Sequence, residues 1–167
     1  MKRKKYTKIP LLFLLVLALT SGGIFVGLHW QHWFGDASNQ AIVDEQAETY
    51  TGNKETYTGK KNTETIDIPG FDSINFKADT PNQSVNLYNP EQNICYFKIS
   101  LYLKDGTRLW ESQLIEPGQA IYQIELQQTL TAGTYSESIL KYECFSMNEE
   151  QTPLNGSEVK CTLNVLS

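Results

Sequence analysis

The chain has 167 residues, and its charges are unevenly distributed along it. Residues 1–8 hold five of the 14 Lys and Arg residues and no acid, whereas residues 35–167 hold nine bases against all 19 acids, a net charge of −10. A C-terminal part this acidic repels nucleic-acid phosphates and anionic wall polymers, which argues against a nucleic-acid partner. The length suits one ordinary domain.

A transmembrane anchor is predicted at the N-terminus. The stretch from Ile9 to Leu28 contains no charge over 20 residues, and as a helix it would span about 30 Å, the thickness of the hydrocarbon core of a bilayer. The basic tail, residues 1–8, precedes it and by the positive-inside rule stays in the cytoplasm. We therefore expect a single-pass protein of the cell membrane whose C-terminal domain is extracellular.

The helix is predicted to end in an aromatic interface, so that the membrane region covers residues 9–34. Trp30 and Trp33 are of the kind that settles at lipid headgroups. The alternative is a cleaved signal peptide centred on residues 11–19. Cleavage after the small residues 21–23 would leave an apolar new N-terminus in water, and no Ala-x-Ala site is present.

Residues 35–64 are predicted to form a polar linker, and a seven-residue unit is duplicated within it. The unit reads ETYTGNK at residues 48–54 and ETYTGKK at residues 55–61. We interpret the duplication as a stalk with a root-mean-square reach of about 30 Å, which would hold the outer domain close to the membrane. The alternative is a tyrosine-bearing docking motif in two copies.

Residues 65–167 are predicted to form an all-β domain. Alternate positions from Cys95 to Leu103 are apolar, which is the period of a β-strand. The pair Asp105-Gly106 signals a two-residue hairpin, and Pro117-Gly118 signals a type II turn. Further strands are predicted at residues 66–76, 84–88, 108–115, 121–126, 136–145 and 158–166, with a polar loop around Pro153 and Asn155-Gly156. About seven short strands without a helical stretch predict an antiparallel β-sandwich.

The sequence from Leu130 to Tyr135, LTAGTY, resembles the tyrosine corner of immunoglobulin-like and fibronectin-type sandwiches. The resemblance implies that Tyr135 donates a hydrogen bond back across the corner. The whole chain is similar to small bitopic surface proteins of Gram-positive bacteria with an immunoglobulin-like ectodomain. That similarity is carried by the N-terminal anchor and by residues 89–91, 104–107 and 116–118. It implies service to a surface or transfer machinery and assigns no functional residue.

Three cysteines, Cys95, Cys144 and Cys161, fall on the apolar phase of their predicted strands. A final hairpin centred near Thr152 would place Cys144 opposite Cys161. Three interpretations stay open: three buried thiols, a Cys144–Cys161 disulfide, or a Cys95–Cys144 disulfide that bridges the sheets. Zinc is not expected, because no histidine follows His32 and the cysteine spacings are not those of ligands.

No catalytic constellation is found in the sequence of the outer domain. Without a histidine there, Ser-His and Cys-His pairs cannot form. The pair Glu149-Glu150 is expected to be solvated surface, and His29 with His32 to be interfacial. We therefore predict a protein that is not an enzyme and holds no cofactor or metal.

The predicted function is binding. We expect the outer domain to contact other surface, secretion or conjugation-type proteins. The alternative is carbohydrate binding, because Tyr96, Tyr102 and Trp110 are predicted on the outward phase of a hairpin, where aromatic rings could stack on sugars. Exposure of these rings distinguishes the two hypotheses.

Overall fold

The computed structural model describes residues 41–52 and 60–167. Their strands, in chain order, are β1 (Glu48–Thr49), β2 (Ser73–Lys77), β3 (Asn82–Tyr88), β4 (Cys95–Tyr102), β5 (Arg108–Glu111), β6 (Gln119–Glu125), β7 (Gly133–Ser146) and β8 (Pro153–Leu166). These two ranges contain no helix, and hence no apolar helix of a length that would traverse a bilayer. The predicted basic tail and the predicted transmembrane region, residues 9–34, lie outside the described residues.

The strands form two sheets. One sheet has three strands in the order β1–β6–β3, and the other has five in the order β2–β8–β7–β4–β5. Neighbouring strands are antiparallel, except that β2 runs parallel to β8. The predicted all-β class is confirmed for the described residues, and two sheets around one core are consistent with a β-sandwich.

The core contains one face of each sheet. The inward residues of β4, from Cys95 through Phe97 to Leu101, have no exposed surface, as their alternation predicts. Phe97 meets Tyr142 of β7 edge to face, with 5.5 Å between ring centroids. Leu87 of β3 belongs to the same buried cluster. Because each such side chain contributes about 1.5–3 kcal/mol on burial, this cluster dominates the stability of the domain.

Two turns lie where the dipeptides Asp105-Gly106 and Pro117-Gly118 predict them. At Asp105-Gly106, Gly106 adopts φ 87° and donates to the Leu103 carbonyl at 3.0 Å, so the loop has three residues rather than the predicted two. At Pro117-Gly118, Gly118 adopts φ 80° and the Gln119 amide donates to the Glu116 carbonyl at 3.1 Å, which is the predicted type II turn.

The hairpin of β7 and β8 differs from its prediction. Its tip is residues 147–152, closed by a 2.9 Å bond from the Ser146 amide to the Thr152 carbonyl. Gly156 lies within β8 rather than in a loop. A Cβ there would collide with the carbonyl oxygen of Tyr142, which explains why this strand position is a glycine. The glycine therefore serves close approach of two backbones beside a register shift after Tyr142. The predicted loop around Asn155-Gly156 is wrong.

Part of the predicted linker is built into the three-stranded sheet. β1 pairs with Gln119 and Ala120 of β6, and Val43 forms a bridge with Leu114. The Asp44 carboxylate accepts from the Gln113 amide at 2.7 Å. Residues 43–49 are thus bound along this sheet and do not act as a free stalk.

A buried pair of asparagines joins the segment before β2 to the domain. The side-chain nitrogen of Asn89 donates to the carbonyls of Cys95 and Ile115, both at 2.9 Å, and its oxygen accepts from Asn93 at 2.9 Å. The oxygen of Asn93 in turn accepts from the Asp67 amide at 2.9 Å. Because both asparagines are buried and fully bonded, they fix this junction.

Candidate functional site

The five-stranded sheet has an outer face, the side turned away from the core. Its residues alternate along β4 and β7 with fully buried ones. One row across it joins Tyr96 of β4, Phe145 of β7 and Pro153 of β8, which are paired in register. Another row, farther along, joins Tyr102 to Ile139.

Apolar side chains gather where the β7–β8 hairpin projects. Ile94 precedes the pair Cys95–Ser146 and Met147 follows it, so these two lie side by side. Ile94 is 48% exposed, Met147 46% and Leu154 43%, so three of the five exposed large hydrophobic residues in the described ranges lie at this hairpin. We call the group the hairpin patch; its outer-face members are Ile94, Tyr96, Phe145, Met147 and Pro153. Its last member, Leu154, pairs with inward-facing Cys144 and so lies on the other face of the same hairpin.

A cleft of about 410 Å³ opens beside the hairpin patch. Phe145 and Leu154 supply apolar walls, while Lys141, Glu143 and Glu158 place charges at its margin. It lies at the register shift between Tyr142 and Cys144, where the strands of the hairpin are not regularly paired. A cavity with apolar walls and charged margins suits a side chain of a protein partner.

Ion pairs occupy the middle of the outer face. Glu111 accepts from Lys98 at 3.1 Å, from Arg108 at 2.8 Å and from the Ser100 hydroxyl at 3.1 Å. Partial burial raises the pKa of Glu111, but the hydrogen bond and charge of Lys98, with Ser100 and Arg108, outweigh it and lower that pKa. The carboxylate is therefore charged at neutral pH and is hydrogen-bonded to its neighbours, so it is poorly suited to act as a general base.

The predicted aromatic face is only partly formed. Tyr96 and Tyr102 lie on the outer face and are half-buried, with the ion-paired Lys98 between them. Trp110 is 8% exposed and belongs to the core, so its predicted outward position is wrong. The reason is a bulge: Leu101 pairs with Trp110 but Tyr102 with Arg108, and the extra residue in β5 reverses the phase.

The three cysteines are buried free thiols. Cys144 pairs with Leu154 and Cys161 with Ser138, so the predicted opposition of Cys144 and Cys161 is wrong. The hairpin turns nearer to residue 149 than to residue 152, which shifts the register by several positions. Hydrogen bonding with Cys95 and burial raise the pKa of the Cys144 thiol, and burial raises that of Cys161. Neither is poised as a thiolate nucleophile.

The Tyr135 hydroxyl donates to the Thr131 carbonyl at 3.1 Å, as the resemblance to a tyrosine corner implies. The Tyr142 hydroxyl, by contrast, is buried without a hydrogen-bond partner, and burial raises its pKa. The described ranges contain no cluster of three His, Cys, Asp or Glu residues able to hold a metal ion.

The hairpin patch is not among the predicted site residues except for Tyr96. Met147 and Leu154 fall in a stretch predicted to be a polar loop, and two large apolar residues in such a stretch were the available signal. No protein family, curated protein or solved structure matches the chain. What the protein does is therefore inferred from its own surfaces.

Proposed function

We propose that the protein is a membrane-anchored, extracellular binding module that contacts another surface protein through the hairpin patch. One observation carries the proposal: Ile94, Met147 and Leu154 at this hairpin are each more than 40% exposed, and Leu154 lines, with Phe145, a cleft of about 410 Å³. Contiguous exposed apolar surface on a small domain is typical of protein–protein contact sites. Ion pairs border the patch and would form the polar rim of such an interface.

A protein partner fits the patch better than a glycan does. Aliphatic side chains such as Ile94 and Leu154 offer no hydrogen bonds to sugar hydroxyls, whereas they bury well against another apolar surface. The glycan alternative rested on three aromatic rings, and Trp110 is in the core. Tyr96 then belongs to the patch, and Tyr102 is separated from it by ion-paired Lys98.

We further infer an immunoglobulin-like sandwich for the domain. Two features support the inference. The order β8–β7–β4–β5, with β2 parallel to β8, corresponds to the G–F–C–C′ sheet of variable-type domains with its parallel first strand. The bond from Tyr135 to Thr131 lies at the start of β7, the position of strand F. In this comparison β1 lies beside β6 where strand D is expected.

The anchor in the proposal rests on sequence. The basic tail and the uncharged run from Ile9 to Leu28 support a single membrane pass with the β-domain outside. A role without catalysis is supported by the absence of histidine after His32.

Site-specific photo-crosslinking in intact cells tests the proposal. A photoreactive amino acid replaces Met147 in the hairpin patch of the full-length protein, and in a control it replaces Gln128, which is exposed in the loop between β6 and β7. We expect adducts with one or a few surface proteins from position 147 and not from position 128. The substitution Leu154→Glu should lower the yield at least about fivefold, since a central apolar contact is worth more than 1 kcal/mol.

Gln127→Glu, in the exposed loop between β6 and β7, is the matched charge control and should leave the yield unchanged. Equal adducts from positions 147 and 128 would reject the hairpin patch as the contact site. Absence of protein adducts together with retention on purified wall glycan would favour the carbohydrate alternative.

A further inference from the structure

The first copy of the duplicated unit is bound along the edge of β6. β1 pairs antiparallel with Gln119 and Ala120, and the Tyr50 amide donates to the Gly118 carbonyl at 2.8 Å. This is strand addition to a sheet edge, in which backbone hydrogen bonds supply affinity and side chains supply specificity. We call the edge formed by Gly118 and residues 119–122 of β6, with Tyr88 beside it, the β6 slot.

The side chains of the first copy also have defined partners in the β6 slot. The Tyr50 ring stacks on Tyr88 with 4.1 Å between centroids and 8° between planes. The Thr51 amide and hydroxyl both contact the Tyr122 hydroxyl, at 2.8 and 3.1 Å. A Cβ on Gly52 would collide with the Tyr50 hydroxyl oxygen, so a larger residue there would force the Tyr50 ring to shift. The contacts thus depend on three consecutive positions of one short sequence.

The residues that make these contacts are those that the two copies share. Residues 48–52 and residues 55–59 both read Glu-Thr-Tyr-Thr-Gly, and the copies first differ at Asn53 and Lys60. Residues 55–59 lie outside the described ranges. Their sequence offers the β6 slot the same tyrosine, the same threonine and the same glycine as the bound copy.

The second copy is tethered close enough to reach. The Asn62 amide donates to the Gln92 carbonyl at 2.8 Å, so the chain after the second copy is held there. Gln92 adjoins Glu91, and a Cβ built on Gly118 would lie 3.5 Å from the Glu91 Cγ. The Asn62 anchor is therefore beside the β6 slot. Asn62 follows Tyr57 by five positions, and an extended chain of that length spans about 17 Å.

We propose that the β6 slot is a binding site for the sequence Glu-Thr-Tyr-Thr-Gly and that the second copy is its second ligand. In the same chain, Tyr57 replaces Tyr50 on Tyr88 by a shift of seven residues. The shift lengthens the chain that leads to the N-terminus by about 23 Å when extended. The β6 slot stays filled throughout, so the sheet edge is not exposed in either state.

Contacts upstream of the unit favour the first copy. The Asp44 amide donates to the Leu114 carbonyl at 2.8 Å, and its carboxylate accepts from the Gln113 amide at 2.7 Å. Seven residues farther on, Thr51 stands in place of Asp44 and has no carboxylate. The first copy is therefore the principal occupant, and the second is the minor one.

Disulfide trapping in the full-length protein tests the exchange. Thr49 lies directly opposite Gln119, so Thr49→Cys with Gln119→Cys traps the first copy. Thr56→Cys with Gln119→Cys traps the second. Mass spectrometry of the peptides and non-reducing gels distinguish bonds within one chain from bonds between chains. The native cysteines are at most 4% exposed and are mapped in the same digest.

Two tyrosine variants show whether trapping requires docking. Tyr50→Ala should raise trapping at position 56 about two- to tenfold, because it removes one ring from the stack. Tyr57→Ala should lower it by a similar factor. Chance collision would respond to neither substitution.

Trapping at position 56 within one chain, with both responses, supports the exchange. Bonds formed solely between chains would overturn it and make the β6 slot a site for a neighbouring molecule. Trapping that is absent at position 56, or insensitive to Tyr50→Ala, would overturn it as well. If Thr49→Cys and Gln119→Cys form no disulfide, the first copy does not occupy the β6 slot, and the slot itself is rejected as a binding site.

Discussion

The five-stranded sheet and the segment before β2 are held in different ways. The sheet is held mainly by apolar burial, with β4 alternating between the core and the outer face along its length. The segment, residues 41–52 and 60–72, is called the strap; it contains one two-residue strand, and its apolar residues are only partly buried against the core. Its position depends more on a few directional contacts, those of Asp44, Tyr50 and Asp67. Loss of a single hydrogen bond should therefore matter more in the strap than in the sheet.

The largest effect is expected in the sheet. Phe97→Ala removes a ring with no exposed surface that packs on Tyr142. We expect a loss of about 3–5 kcal/mol in the free energy of unfolding, from lost burial and from the cavity left behind. Pulse proteolysis of the full-length protein in urea measures it. Phe97→Leu should recover most of the loss, and a cost below about 1 kcal/mol for Phe97→Ala would contradict the core position.

The second effect lies at the junction of the two regions. Asn89→Ala leaves the carbonyls of Cys95 and Ile115 and the amide of Asn93 without their partner. We expect a loss of about 2–3 kcal/mol, because buried polar groups are costly when unpaired. The control is Gln92→Ala, which removes one exposed bond, and it should change stability by less than about 0.5 kcal/mol.

The third effect is local. Tyr50→Ala should weaken the strap without unfolding the sheet, because the stacked ring contributes about 0.5–1.5 kcal/mol. Hydrogen exchange of the Asp44 and Tyr50 amides should therefore accelerate about two- to tenfold. The amides of β4 should exchange at the unchanged rate. Acceleration in both regions would show that the strap and the sheet unfold as one unit.

The smallest effect is a pH dependence on the outer face. The pKa of Glu111 is lowered in the folded state, so its contribution is present above the unfolded value of 4.5 and is lost as pH falls through the folded value. The three side chains involved are partly exposed, which keeps the contribution below about 1 kcal/mol. Glu111→Gln should flatten the stability profile below about pH 4.5. An unchanged profile would assign the acid sensitivity to other carboxylates.

The sheet was largely predictable from sequence, and the strap was not. Period-two alternation reports burial directly, so the inward face of β4 and the turn at Gly118 follow from neighbouring residues alone. The stacking of Tyr50 on Tyr88 joins residues 38 positions apart, which no local pattern encodes. The duplicated unit was the signal, but a polar composition favours a linker as readily as a bound strand.

The site shows the same limit. Trp110 is misplaced because a single extra residue in β5 reverses the phase of alternation, and such a bulge leaves little trace in the sequence. The sequence predicts a turn at Gly156, although a glycine serves close approach of two backbones equally well. The hairpin patch is not predicted for the same reason, since Leu154 falls two residues before that glycine in the predicted loop.

The parallel pairing of β2 with β8 also affects how the protein is made. Asn75 meets Asn164, 89 residues later, and Lys77 pairs with Leu166. At a synthesis rate of about 5–20 residues per second, β2 waits roughly 4 to 18 s for its partner to be translated. The five-stranded sheet is therefore completed only after β8 has been synthesised. During that interval its apolar strands are incompletely paired and prone to aggregation.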